Sequence, residues 1–152
     1  MQREYDCLSL LVAANGKLTH RVPKLVGLVQ APDDVYCGRI VGILEEFIES
    51  PPGYSTLRRI DRQKVTESQR AKWIKQVRQS IEGLHEVGVI WGDGKADNIL
   101  LDINEDVWLI DFGGGWTQNW VSEKLAGTVE GDIEAMQNIE RFLGGDPCQW
   151  SV

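Results

Sequence analysis

The sequence is poor in the features that mark several common protein classes. Its three cysteines, Cys7, Cys37 and Cys148, are far apart and odd in number, with no C-x-x-C pair. Neither a disulfide framework nor a zinc knuckle is supported. The longest apolar run, Leu8 to Ala14, is broken by Ser9 and far too short to span a bilayer. No Asn-x-Ser/Thr sequon occurs, and the first residues, MQREYDC, are polar. Basic charge is also scarce: 16 Lys and Arg against 23 Asp and Glu give a net charge of −7. That balance argues against a nucleic-acid or anionic-membrane binder, which would need a basic face. These absences lead us to expect a protein of a reducing compartment, cytoplasmic or nuclear, with neither nucleic acid nor membrane as partner.

What remains is an ordinary globular composition, 42% hydrophobic and 26% charged, in a chain long enough to bury one core. From Glu4 to Ala14, Tyr5, Leu8, Leu11 and Val12 recur at helical spacing, with Asn15-Gly16 as the stop. A strand is expected over Leu25 to Gln30, leaving through the turn APDD. RIVGILEEFI, Arg39 to Ile48, begins as an apolar run of the kind found in buried strands and ends at SPPG. The clearest helix starts at Thr66, where TESQ is a capping-box pattern. Trp73, Val77, Ile81 and Leu84 share one face, and Gly88 supplies the stop. NILLD and VWLID read as two short strands joined by a polar turn. A last amphipathic helix is expected from about Asp132 to Leu143, with Ile133, Met136, Ile139 and Leu143 inward and Gly144-Gly145 closing it.

The residues able to do chemistry cluster in GVIWGDGKADNILLD and VWLIDFGGG, at the ends of these elements. Asp93 can take a proton from a hydroxyl. Lys95 offers a compact positive charge for a phosphate. Asn98 and Asp111 offer the hard oxygens that suit magnesium, which binds few protein groups and completes its shell with phosphate oxygens. Asp and Asn favour turns and caps in any protein, but here order, spacing and flanking strands all agree. Asp102, Asn104 and Asp106 mimic the opening of a calcium loop, yet Val107 stands where that loop needs Gly and Gly113 where it needs Glu, so we read a hairpin turn. His85 reads as a helix-end residue, and His20 carries no signal. Trp73 and Trp108 read as core-facing, and Trp116 and Trp120 as pins for the loop after DFGGG.

WGDGKADNILLD followed by LIDFG resembles the catalytic core of protein kinases, in which H-R-D-L-x-x-x-N forms the catalytic loop and D-F-G the metal loop. The run is similar to that of fungal kinase-like proteins with shortened chains. The resemblance implies an α+β protein-kinase-like fold, mainly the helical large-lobe core with a remnant of the small lobe. It would be one partial domain, with residues 1–49 as small-lobe remnant and hinge and 50–152 as large-lobe core. It implies ATP and Mg2+ as cofactors and transfer of the γ-phosphoryl to a hydroxyl-bearing protein or small molecule. Asp93 and Lys95 would be catalytic, Asn98 and Asp111 would hold magnesium, and the backbone of Glu46, Phe47 and Ile48 would meet the adenine. Asp132 would brace the catalytic loop, and Glu4 would be the glutamate that pairs with a nucleotide-positioning lysine.

The sequence also departs from that pattern. It has no G-x-G-x-x-G and no V-A-I-K strand, so it is expected to begin about where the small lobe's helix lies. Gly16-Lys17 lacks the upstream glycine of a P-loop. Trp91 replaces the usual His and is free to pack on Phe112. Gly92 replaces the Arg that often receives a phosphorylated activation loop, so that switch should be missing. The stretch from Asp111 to Asp132 is short and has no A-P-E. Three readings stay open: a phosphotransferase acting on protein or on a small molecule, a non-catalytic pseudokinase-type binding module, and a longer protein in which Met1 is an internal start.

Overall fold

The computed structural model describes residues 1–14, 21–32 and 38–144. The Asn15-Gly16 stop, Gly16-Lys17, His20, Asp33-Asp34 of the APDD turn, Cys37, Gly145 and Cys148 lie outside them. Among the described residues, three α-helices, three 3-10 turns and two small antiparallel sheets form an α+β arrangement in which α1 spans Gln2–Ala13. β1 (Leu25–Gln30) pairs with β2 (Ile40–Glu45), setting Leu28 opposite Ile43. α2 (Glu67–Glu86) follows, then the hairpin of β3 (Ile99–Leu101) and β4 (Val107–Leu109), and finally α3 (Val129–Gly144).

α2 begins where its capping box places it. The Gln69 amide donates to Thr66 Oγ1 at 3.2 Å, and the Thr66 amide donates to Gln69 Oε1 at 3.0 Å. Two otherwise orphaned donors are satisfied reciprocally. The stripe Trp73, Val77, Ile81 and Leu84 is buried, and it meets Ile99, Leu101, Val107 and Leu109 of the hairpin and Ala135, Ile139, Phe142 and Leu143 of α3 in one core. The turn of the hairpin is tied by Asp102, whose Oδ1 accepts from the Asn104 amide at 2.8 Å and the Asp106 amide at 2.9 Å. Asp106 then anchors the hairpin to its surroundings through Arg21, Lys72 and Gln76. Desolvation opposes its charge, but the hydrogen bonds from Gln76 and Lys72 and the charge of Arg21 together outweigh it and hold its carboxyl below the usual value.

Several expectations are corrected. α3 starts at Val129, a turn earlier than Asp132, because Thr128 Oγ1 accepts from the Gly131 amide at 3.1 Å and acts as the cap. Its buried face keeps Ile139 and Leu143, with Met136 packed against the core, but Ile133 is 42% exposed and Ala135 and Phe142 join the inward positions. β2 is a strand but not a buried one, with Ile40, Val41 and Leu44 exposed. A two-stranded sheet has no second layer of its own to cover an apolar face. In α1 the inward residues are Leu8, Cys7 and Leu11, while Val12 faces solvent. Of the two loop tryptophans, Trp120 is buried against Phe142 with ring centroids 5.6 Å apart, but Trp116 is exposed. Trp73 is buried and donates to the Glu105 carbonyl, whereas Trp108 is half-buried and donates to Asp102. Among the described residues, no helix is long and apolar enough to cross a membrane.

Candidate active site

The segment from Ile90 to Asn98 carries most of the polar groups and is pressed into place by α2 and α3. Asp132, 1% exposed on α3, accepts from the Trp91 and Gly92 amides, each at 2.8 Å, and from His85 Nε2 at 2.8 Å. His85 is thus a helix-end residue, as its position implied, with a second task in orienting this carboxylate. The bracing expected of Asp132 is present. Trp91 is fully buried and donates from its indole to the Ile110 carbonyl at 2.8 Å, which ties this segment to the one bearing Asp111. Gly94 has no room for a side chain: a Cβ there would lie 2.5 Å from that of Ala135 and 3.1 Å from the Trp91 ring.

The structure brings Asp93, Lys95, Asn98 and Asp111 together. Lys95 Nζ lies 2.6 Å from Asp93 Oδ2. Asn98 Nδ2 donates to the Asp93 carbonyl at 2.9 Å and faces Asp93 Oδ2 at 3.3 Å and Asp111 Oδ2 at 3.4 Å. With its NH2 turned to these acceptors, the Asn98 amide oxygen is left for another partner. Asp111 is the exposed member and sits at φ +63°, a left-handed backbone that Asp tolerates better than most residues. Gly115 backs the Asp93 carboxylate closely, since a Cβ there would come into van der Waals contact with it at 3.7 Å.

Two residues of this site escaped the sequence reading. Thr117 Oγ1 donates to Asp93 Oδ1 at 3.1 Å and accepts from Lys95 Nζ at 3.1 Å, closing a triangle around the carboxylate. A lone Thr in an irregular loop carries no pattern that would single it out. Arg3 of α1 donates to the carbonyls of Ile90, Trp91 and Phe112, contacts with no local sequence signal at all.

Asp111 also forms one wall of a cleft of about 900 Å3, shared with Glu4, Glu45, Glu46, Phe47, Ile48 and Leu100. The segment Glu46 to Ile48 thus lines the same cleft as Asp111. The Glu46 amide is already engaged by the Lys24 carbonyl at 2.8 Å, so its carbonyl is the group left for a ligand's donor. Phe47 is 87% exposed. No basic side chain lines the cleft among the described residues, so Glu4 meets no lysine there. Burial, with Glu4 and Asp111 adding their negative charge, raises the carboxyl of Glu45 above its ordinary 4.5.

A test by pH follows from that shift. The folded state binds the Glu45 proton more tightly than the unfolded one. Its favourable contribution is therefore present at low pH and lost as pH rises through the folded value. Glu45→Gln should remove this loss, so that its advantage in unfolding midpoint over the natural chain grows from pH 5 upward and then levels off. A gap that shrinks with rising pH would contradict the assignment.

A family model for the protein kinase domain matches residues 15–132. The chain is 37% identical over 71 residues to the serine/threonine-protein kinase kin-29 of Caenorhabditis elegans, covering 47% of this chain and 8% of that protein. It is 37% identical over 67 residues to the hormonally up-regulated neu tumor-associated kinase homolog B of Xenopus laevis, covering 43% and 11%. To the human kinase of that name it is 36% identical over 67 residues, covering 43% and 9%. The chain thus spans about a tenth of the length of these curated relatives. With Asp93, Lys95, Asn98 and Asp111 brought together and the match running through most of the sequence, the chain belongs to the protein kinase domain family.

Proposed function

We propose that this chain is a phosphotransferase domain that moves the γ-phosphoryl of Mg-ATP to a hydroxyl acceptor. The observation that carries the reading is the Asp93 carboxylate, held by Lys95, Thr117 and Asn98 beside Asp111, which lines the cleft. The acceptor oxygen bonds to the γ-phosphorus, the bond from that phosphorus to the β,γ-bridging oxygen breaks, and ADP leaves. Asp93 orients the hydroxyl and takes its proton. Lys95 offsets negative charge on the moving group, and Thr117 keeps both in register. The backbone of Glu46 to Ile48 would meet the adenine. Such catalysis is mostly positioning and electrostatics.

Asn98 Oδ1 and the Asp111 carboxylate fit magnesium chemically, being hard oxygen donors few enough to leave most of its shell to phosphates and water. Bound there, the ion would neutralise charge on the phosphate oxygens. A second reading rests on the cleft's charge. Among the described residues, Glu4, Glu45, Glu46 and Asp111 line it without a cation, which disfavours a polyphosphate and suits a module that binds a partner without catalysis.

Thermal unfolding with and without millimolar Mg-ATP, alongside Asp111→Ala, separates the two. A ligand at 100 times its Kd should stabilise by about 2.7 kcal/mol. In a domain of this size that is a shift of roughly 5–11 °C. We expect the shift to need magnesium and to vanish in Asp111→Ala. A cooperative transition that ignores Mg-ATP favours the binding module.

A further inference from the structure

We propose that Arg3 is a positioning residue that clamps the segment before Asp93 to the one bearing Asp111, and that Gly92 is glycine to receive it. The proposal concerns the geometry of the site described above, and its nucleotide consequence rests on the phosphotransfer reading. Nη2 of Arg3 donates to the Ile90 carbonyl at 2.9 Å, while Nη1 donates to the Trp91 carbonyl at 3.2 Å and to the Phe112 carbonyl. One guanidinium thus joins three backbone acceptors from two loops. A planar fork with five N–H donors is suited to this, and a lysine would serve it less completely.

The loops are shaped around that fork. A Cβ at Gly92 would lie 2.5 Å from Arg3 Nη2, and one at Gly114 would lie 3.1 Å from both Cδ and Nη1. Both glycines have left-handed backbone, φ +87° and +79°. The position where many kinases carry an arginine side chain is here emptied, and an arginine from α1 reaches in beside it. That guanidinium binds carbonyls rather than a modified side chain. The link it makes is permanent and needs no phosphorylation. The position of α1 is thereby tied to the relative placement of Asp93 and Asp111.

Amide hydrogen exchange of the unliganded protein tests this without any nucleotide. In Arg3→Ala, the bonded amides of Trp91 and Gly92 on one loop and Ile110 and Gly113 on the other should exchange about tenfold faster or more, as expected when a charge-assisted hydrogen bond is lost. Arg3→Lys should recover part of that protection in both loops together. Val77→Ala, a core variant more than two turns before the end of α2, controls for general loss of stability and should not single out these two loops. If Arg3→Ala is too unstable to study, Arg3→Gln, which keeps a short donor, carries the same comparison.

Unchanged exchange in either loop overturns the clamp, whatever the protein does with ATP. A second readout connects it to function. The magnesium concentration that gives half of the Mg-ATP thermal shift should rise at least about tenfold in Arg3→Ala and far less in Val77→Ala, by the same loss of a charged hydrogen bond. If the natural chain shows no such shift while exchange behaves as stated, the phosphotransfer reading fails and the clamp stands. If the shift is present and its magnesium dependence is untouched by Arg3→Ala, the clamp's nucleotide role is refuted.

Discussion

Asp132→Ala should lower stability by about 3–5 kcal/mol, the cost of removing one partner from a buried, hydrogen-bonded charge. The carboxylate is 1% exposed and accepts three donors, the amides of Trp91 and Gly92 and His85 Nε2, all at 2.8 Å. Alanine leaves all three inside the protein without that acceptor, and a buried donor left unsatisfied costs roughly 1–3 kcal/mol. In a domain of this length the unfolding midpoint should fall by roughly 6–20 °C. Asp132→Asn keeps one acceptor oxygen and should fall between. A loss below about 1 kcal/mol in the alanine variant would mean that water replaces the carboxylate, and that the brace matters little.

Asp93→Asn should reduce phosphotransfer by about 100- to 10,000-fold while leaving the fold in place, on the proposed assignment of Asp93 as proton acceptor. Asparagine matches the carboxylate in shape, and its amide oxygen can still accept from Lys95 or Thr117, but it cannot take a proton from a hydroxyl at neutral pH. The discriminating measurement is single-turnover transfer at saturating Mg-ATP, beside the unfolding midpoint of the same preparation. A variant that folds, shows the Mg-ATP shift and transfers at the natural rate would remove Asp93 from the chemistry.

The legible parts of this protein are those with short-range rules behind them. The capping box at Thr66, the period of α2 and the paired strands flanking Asp102 all follow from contacts a few residues apart. The grouping of Asp93, Asn98 and Asp111 was legible for a related reason: a hairpin between two loops returns them to one end. What the sequence concealed depends on partners far along the chain. The apolar run in β2 is that of a covered strand, but the described residues give its outer face no cover. Arg3 lies 87 to 109 residues from the carbonyls it meets, and no periodicity reaches that far.

The close approach of Gly94 to Ala135 has a mechanical consequence. With Asp132 gripping two amides one turn earlier on the same helix, the segment bearing Asp93 has almost no slack against α3. Tightly packed interiors transmit displacement rather than absorb it, so a slide of that helix by a fraction of an ångström carries Asp93 along. Asp111 stands exposed and outside this packed seam. The segment bearing Asp93 is stiff against α3. Under load or heating Asp93 follows that helix, and the Arg3 and Trp91 links pass the movement on to the segment bearing Asp111.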